Sequence, residues 1–226
     1  MKLASLKQGG PDGSLIVVNR ALTRAVPAAP HAPTMRAALD DWPAVAAGLK
    51  VLAEELEAGQ AANAFALDFA ALTAPLPRAA QFLDASGYLN HIELARRARG
   101  DSLPDTLETD PLMYQGASEP LGGPRDAIYA ADESWGIDFE AESAVITGNL
   151  AMGAGPEKAA EAVLLIMLVN DVSARRLVPA ELEKGFGFIH GKPPSAFSAV
   201  AVTPDELGAA WDGARLHGRI VSTLNG

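Results

Sequence analysis

The chain has 226 residues, 28 acidic against 18 basic, for a formal net charge of −10, and 49% of its residues are hydrophobic. Such a composition excludes a disordered chain, and this length can bury a core of roughly 70% of the unfolded surface. The absence of cysteine excludes a disulfide scaffold, a thiol nucleophile and a zinc–thiolate site. The acidic balance argues against nucleic acid, which is bound mainly through Lys and Arg.

In chain order, Lys2 to Leu6 and Leu15 to Asn19 read as short strands around a Gly-Gly-Pro-Asp-Gly turn. Thr34 to Ala58 is rich in Ala and Leu and reads as helix, with Pro43 opening a second segment and Gly59 beyond its end. Phe65 to Ala70 reads as a strand, and Ala74-Pro75-Leu76-Pro77 as a stiff extended boundary. Gly87 to Arg99 is helical in composition, with arginines in its last turn and Gly100 just past it. Ser118 to Glu133 reads as loop or short strands, and Trp135 to Gly148 alternates like a strand. Pro156 opens a short helix, and the apolar run after it reads as a buried strand ending near Asp171. A helix over Pro179 to Lys184, a glycine-rich turn, a strand from Phe197 to Thr203 and a last strand from Val221 complete the pattern. The longest apolar run, Ala162 to Val169, has eight residues, whereas a membrane helix needs about 20. The start of the chain lacks the apolar stretch of a secretory signal. The expectation is a cytoplasmic protein that engages neither membrane nor nucleic acid. Its fold class is α+β and β-rich, with a small N-terminal β/α domain over residues 1–73 and a second unit over 76–226.

The segment Ile137-Asp138-Phe139-Glu140-Ala141-Glu142 carries the most chemistry. As a strand it puts Ile137, Phe139, Ala141 and Val145 on one face and Asp138, Glu140 and Glu142 on the other. Carboxylates that close raise each other's pKa unless a cation intervenes, and a hard divalent ion suits them. An acidic solvent face explains the same pattern. Asp171 ends the buried strand and fits either a ligand position or a helix cap for Val172 to Leu177.

Asp138-Phe-Glu-Ala-Glu142, Val169-Asn-Asp-Val-Ser-Ala-Arg175 and the stretch GFGFIHGKPPSAFS from Gly185 to Ser198 together resemble the fumarylacetoacetate hydrolase family. Its members hydrolyse a carbon–carbon bond in acylpyruvates and related β-diketo acids, which implies a role in aromatic-compound degradation. The resemblance runs from about Leu76 to Gly226 and implies a mixed β-roll for the second unit. The first seventy residues are similar to the small N-terminal domain of longer members. By the same resemblance Glu140, Glu142 and Asp171 would bind Mg²⁺, Ca²⁺ or Mn²⁺. Asp84, seven residues before His91 as in the longer members, would be the fourth ligand. His91 would be the general base toward water, and histidine suits that role because its ordinary pKa is near neutrality. Arg175 and Lys192 would hold the substrate carboxylate and stabilise negative charge, with Tyr114 and Gln115 as further substrate contacts. A small oxo-acid is the implied substrate, and a homodimer the implied assembly.

The sequence departs from the family pattern in places. Many relatives have Lys where Gln115 stands. The third residue after His91 is Leu94 rather than the glutamate partner of shorter members, and Glu93 at i+2 faces elsewhere on a helix. The family's closing segment, with a Gly-Thr turn, has no counterpart, so the β-roll is expected to be C-terminally incomplete. Related enzymes decarboxylate oxaloacetate-like acids or isomerise and hydrate unsaturated oxo-acids. Those outcomes, and a non-catalytic binding role, stay open at this stage.

Overall fold

The computed structural model describes residues 1–117 and 120–226. Ser118 and Glu119, at the start of the segment read as loop or short strands, lie outside the described residues. Lys2–Leu6 (β1) and Ser14–Val18 (β2) pair antiparallel, with Leu3 opposite Val17 and Ser5 opposite Leu15. Both strands are covered on both faces. Leu3, Leu15 and Val17 join one core cluster, while Ala4, Ile16 and Val18 join another with Leu72 and Ala199. That is why β2 reads as a continuous apolar run from Leu15 to Val18 rather than an alternating one.

Arg24–Pro27 (β3) follows on β2. Thr34 caps Met35–Asp40 (α1), its hydroxyl oxygen accepting from the Ala37 N–H at 3.1 Å, a contact worth about 1 kcal/mol. Trp42–Glu57 (α2) begins with Pro43 in its first turn, where a missing N–H has no helical partner to lose. Leu49 and Leu56 of α2 are buried against the first cluster. The expected strand over Phe65 to Ala70 shrinks to Phe65–Ala66 (β4), on the edge of β3. The Asp68 carboxylate accepts from the Ala70 N–H at 2.9 Å and starts a 3₁₀ turn, which ends the ladder. The stretch after it lies along β1: Thr73 N–H donates to Ser5 O at 3.0 Å, and the Ser5 hydroxyl donates to Pro75 O at 2.7 Å.

Leu83–Ala85 (β5) pairs with Met113–Gln115 (β6). Between them Leu89–Arg99 (α3) ends at Gly100, whose φ of 77° closes the last turn in the left-handed region that glycine enters without strain. The single strand expected over Trp135 to Gly148 is two, Ile137–Asp138 (β7) and Ala141–Thr147 (β8). Side chains take over the backbone at the break: Phe139 N–H donates to the Asp138 carboxylate at 3.0 Å and Glu140 N–H to Asn170 Oδ1 at 3.2 Å. The face that carries Ile137, Phe139 and Val145 is the outer one. Ile137, Phe139 and Val145 are 43%, 55% and 49% exposed, while Ile146 on the opposite face is 5% exposed.

Pro156–Glu161 (α4) leads into Val163–Asn170 (β9), which pairs along its length with β8. Ser173–Ala174 (β10) pairs with β7, so the segment after Asp171 is not a helix and Asp171 is not its cap. Val178–Leu182 (α5) stands where a helix was expected. The strand expected over Phe197 to Thr203 is split into Ala196–Phe197 (β11) and Ala201–Val202 (β12). Ser198 interrupts it, accepting from Leu168 N–H at 3.1 Å and donating to Val200 O at 2.9 Å. Val202 pairs with Ile166 of β9 and with Lys2 of β1, joining the two halves in one open eight-stranded sheet. The strand expected from Val221 is absent. Residues 218–226 are exposed and pair with nothing among the described residues, and a lone strand repays none of its ordering entropy. The result is an α+β, sheet-rich fold. Among the described residues no helix is long and apolar enough to cross a membrane.

Candidate metal centre

Three strand ends bring acids together. Asp84 lies in β5 opposite Tyr114, Glu142 near the start of β8 opposite Val169, and Asp171 directly after β9. Asp171 N–H still donates to Glu140 O at 3.0 Å, so the chain leaves the sheet beside the acidic end of β8. One carboxylate oxygen from each of Asp84, Glu142 and Asp171 lies within 4.8 Å of the others.

Asp171 is the hub and is only 3% exposed. Its Oδ1 accepts from the Ser195 hydroxyl at 3.0 Å, and its Oδ2 accepts from Lys192 Nζ. The Tyr114 hydroxyl is 2.5 Å from Asp84 Oδ2 and 3.3 Å from Asp171 Oδ2. A phenol has one proton, which goes to the shorter contact. Glu140 stands outside the triad. Its Oε1 accepts from Arg175 Nη2 and from the Ser173 hydroxyl at 2.9 Å, and its Oε2 is 3.5 Å from Lys192 Nζ. Arg175 also donates from Nε to Asp138 Oδ2 at 2.7 Å, so one guanidinium ties two carboxylates of the broken strand.

The charges do not balance. Four carboxylates face two cations, one of them shared with Asp138. Burial first, then the charges of Asp84 and Asp171, push Glu142 up to about 7 against the opposing pull of Lys192. Asp84 is raised too, chiefly by burial and by Asp171, although its bond from Tyr114 works the other way. The Tyr114 phenol is raised by burial and by its bond to Asp84. A partly buried, under-compensated set of oxygen donors with no nitrogen or sulfur among them fits a hard divalent cation such as Mg²⁺ or Mn²⁺.

The remaining predicted residues are placed as follows. His91 is on the exposed surface of α3 and outside this hydrogen-bonded network among the described residues. Gln115 is exposed at the end of β6, while its neighbour Tyr114 points into the centre. Two histidines to which the sequence assigns no site role lie elsewhere: His31 against Gly48 of α2, where a Cβ would meet its ring at 2.4 Å, and His217 paired with Asp212 at 2.8 Å. The sequence reading missed Ser173, Ser195 and the Asp138 contact. Ser173 sits two residues from Asp171 and could have been suspected. Nothing local marks Ser195, which is buried 24 positions further on. Ser195→Ala is expected to weaken Mn²⁺ binding by roughly 10–100-fold, the usual effect of losing a partner that orients a ligand. Calorimetric titration checks this, and an unchanged affinity removes Ser195 from the site.

Residues 1–78 match fumarylacetoacetase N-terminal domain 2, and residues 81–226 match the fumarylacetoacetate hydrolase C-terminal family. A 2,4-didehydro-3-deoxy-L-rhamnonate hydrolase of a Sphingomonas species is 32% identical over 109 residues, 47% of this chain and 37% of that protein. The fumarylacetoacetate hydrolase structure from Exiguobacterium antarcticum is similar with a TM-score of 0.58 and 24% identity, covering 91% of this chain and 67% of that one. The maleylpyruvate hydrolase of a Sphingobium species, in complex with manganese(II) and pyruvate, is similar with a TM-score of 0.59 and 15% identity. That match covers 91% of this chain and 68% of the hydrolase. At these identities the likeness to the two solved structures is one of fold. The curated relative is matched over little more than a third of its length.

Proposed function

Since the chain belongs to the fumarylacetoacetate hydrolase family, we propose that it serves cation-dependent cleavage of a carbon–carbon bond in an acylpyruvate or similar β-diketo acid. The observation that carries this reading is the triad of half-buried Asp84 and Glu142 and buried Asp171 with Lys192 set against it. The manganese and pyruvate in the maleylpyruvate hydrolase support it by analogy of fold.

Asp84, Glu142 and Asp171 would hold the cation, with Glu140 adjacent. Bound there, a divalent ion supplies Lewis acidity toward the oxygens of a 1,3-dicarbonyl. Lys192 and Arg175 offer positive charge to the substrate carboxylate and to charge developing on oxygen. Their present partners, Asp171, Glu140 and Asp138, keep both cations oriented before substrate arrives. His91 takes a proton from water, and the hydroxide adds to the acyl carbonyl. The bond between that carbon and the pyruvyl methylene then breaks, its electron pair leaving as an enolate that takes up a proton. Tyr114, with its proton already committed to Asp84, orients that acid rather than acting as the base.

His91→Ala is expected to lower kcat by roughly 10²–10⁴-fold, the range for a lost general base, while Mn²⁺ affinity is retained. Steady-state assay of an acylpyruvate panel with and without Mn²⁺ checks both. Full turnover by the variant ends the assignment of His91, and no Mn²⁺-dependent turnover of any β-diketo acid by the unaltered protein ends the proposed reaction.

A further inference from the structure

Between α5 and β11 no residue from 183 to 195 belongs to a helix or strand. Gly185 and Gly187 lie at φ of 73° and 101°, in the left-handed region that glycine enters without strain, and no ladder ties the segment. One side chain gathers its backbone. Glu181 Oε2 accepts the amide protons of Ile189 at 3.1 Å and Gly191 at 3.0 Å, and Oε1 accepts that of His190 at 2.8 Å. On the other side, the Gly191 carbonyl accepts from Ala174 N–H of β10 at 2.8 Å. Residue 191 must be glycine for this approach. A Cβ there would lie 2.7 Å from Glu181 Oε2 and 3.0 Å from Val178 Cγ2. Successive amides converging on one carboxylate favour its charged form. Burial alone would raise the Glu181 carboxyl, but the three amide bonds and nearby His190 hold it below the ordinary range.

The clamped turn is the one that carries Lys192. Lys192 Nζ reaches Asp171 and Glu140 and lies 5.9 Å from the centre of the Tyr114 ring. Just before the clamped amides, Phe188 meets that same ring edge-on at 4.7 Å between centroids. A lysine head on a flexible four-carbon stem is located only as well as the backbone beneath it.

We infer that Glu181 is a positioning residue for Lys192: by collecting the amides of residues 189–191 it fixes the backbone from which Lys192 reaches the carboxylate centre. This rests on the reading of Lys192 as an oxo-acid-binding cation. The alternative role is local, with Glu181 stabilising its own loop and Lys192 indifferent to it.

Glu181→Gln keeps the shape but offers a single oxygen and turns an NH₂ toward at least one amide, so at least one of the three bonds is lost. Two measurements on the whole chain separate the roles. Hydrogen exchange follows the amides of 189–191. Acetic anhydride labelling with mass spectrometry follows Lys192, whose side chain is 11% exposed and held by Asp171. In the variant, exchange at 189–191 and acetylation of Lys192 are expected to rise on the order of 5–30-fold, the factor set by one or two kcal/mol. Lys7 and Lys158, paired elsewhere with Asp126 and Glu161, are expected to label at the unaltered rate. For turnover, Glu181→Gln is expected to lower kcat/KM, yet to add no more than about twofold in a Lys192→Met background, because coupled residues do not add. Unchanged protection at 189–191 overturns the inference. So does faster exchange there with Lys192 labelled at its original rate. If the unaltered chain cleaves no oxo-acid while Lys192 still responds to Glu181→Gln, the proposed reaction falls and the positioning role stands.

Discussion

Asp171→Asn is expected to abolish stabilisation by Mn²⁺. At a free concentration 100 times the dissociation constant, a cation bound only to the folded protein adds about 2.7 kcal/mol, and the variant is expected to gain none of it. The side chain is 3% exposed and its two oxygens face Ser195, Lys192 and Tyr114. Asparagine fits the same volume but brings a neutral oxygen, and its NH₂ must face either Ser195 or the Lys192 ammonium. Affinity is expected to fall by more than about 100-fold, beyond what the loss of an orienting partner costs. Thermal unfolding with and without Mn²⁺, together with calorimetry, reads both effects. A variant that binds Mn²⁺ within a few-fold of the original would show that the triad is not the cation site.

Glu142→Gln is expected to separate stability from binding. In the metal-free protein Glu142 is pushed from an ordinary 4.5 up to about 7, first by burial and then by Asp84 and Asp171. A carboxyl whose folded-state pKa is raised stabilises the fold in its protonated form. That contribution is whole below about 4.5, is lost progressively as pH rises, and is gone above about 7. Metal-free protein should therefore weaken from this group between pH 5 and 7, and Glu142→Gln should not. Glu142 is only half-buried, and solvent screening reduces the gain to about 1–2 kcal/mol at pH 8. The same variant is expected to lose Mn²⁺ binding, while in the unaltered protein binding displaces a proton and strengthens as pH rises through 7. Urea unfolding at pH 5 and 8 tests the first half and calorimetry in buffers of different ionisation enthalpy the second. A metal-free variant no more stable than the original at pH 8 would mean that the acids do not repel one another as their packing implies.

Much of the centre was legible without coordinates, for identifiable reasons. Asp171 could be read because an acid at the end of a buried apolar strand has its backbone position set by the strand. Tyr114, Arg175 and Lys192 were legible through resemblance, and each reaches the carboxylates. Glu140 and Glu142 were expected to act alike on one strand face. They do not, because Asp138 and Asn170 side chains break the ladder between them, sending Glu140 to Arg175 and Ser173 and Glu142 to Asp84 and Asp171. Strand periodicity assumes an unbroken ladder and has no means of seeing such a break.

Which face of β7 and β8 is exposed was not legible for a related reason. Alternation tells which residues share a face, and Ile137, Phe139 and Val145 do look alike, but it does not tell which face meets the core. That is decided by the strands and loops laid over the sheet, and they cover Ile146, Leu165 and Val169 instead. Sequence alone determined the β-rich class and the helices marked by Thr34, Pro43, Pro156 and Gly100, because those depend on local backbone preference and residue type, while resemblance supplied most of the polar groups at the centre. Tertiary structure alone decided that Asp84, Glu142 and Asp171 converge, that Ser195 and Glu181 hold their neighbours in place, and that the strand from Val221 does not form. Each of those outcomes turns on whether segments far apart in the chain meet, since the free energy of such a contact exists only once the sheet has brought them together, and residues 218–226 pair with none among the described residues.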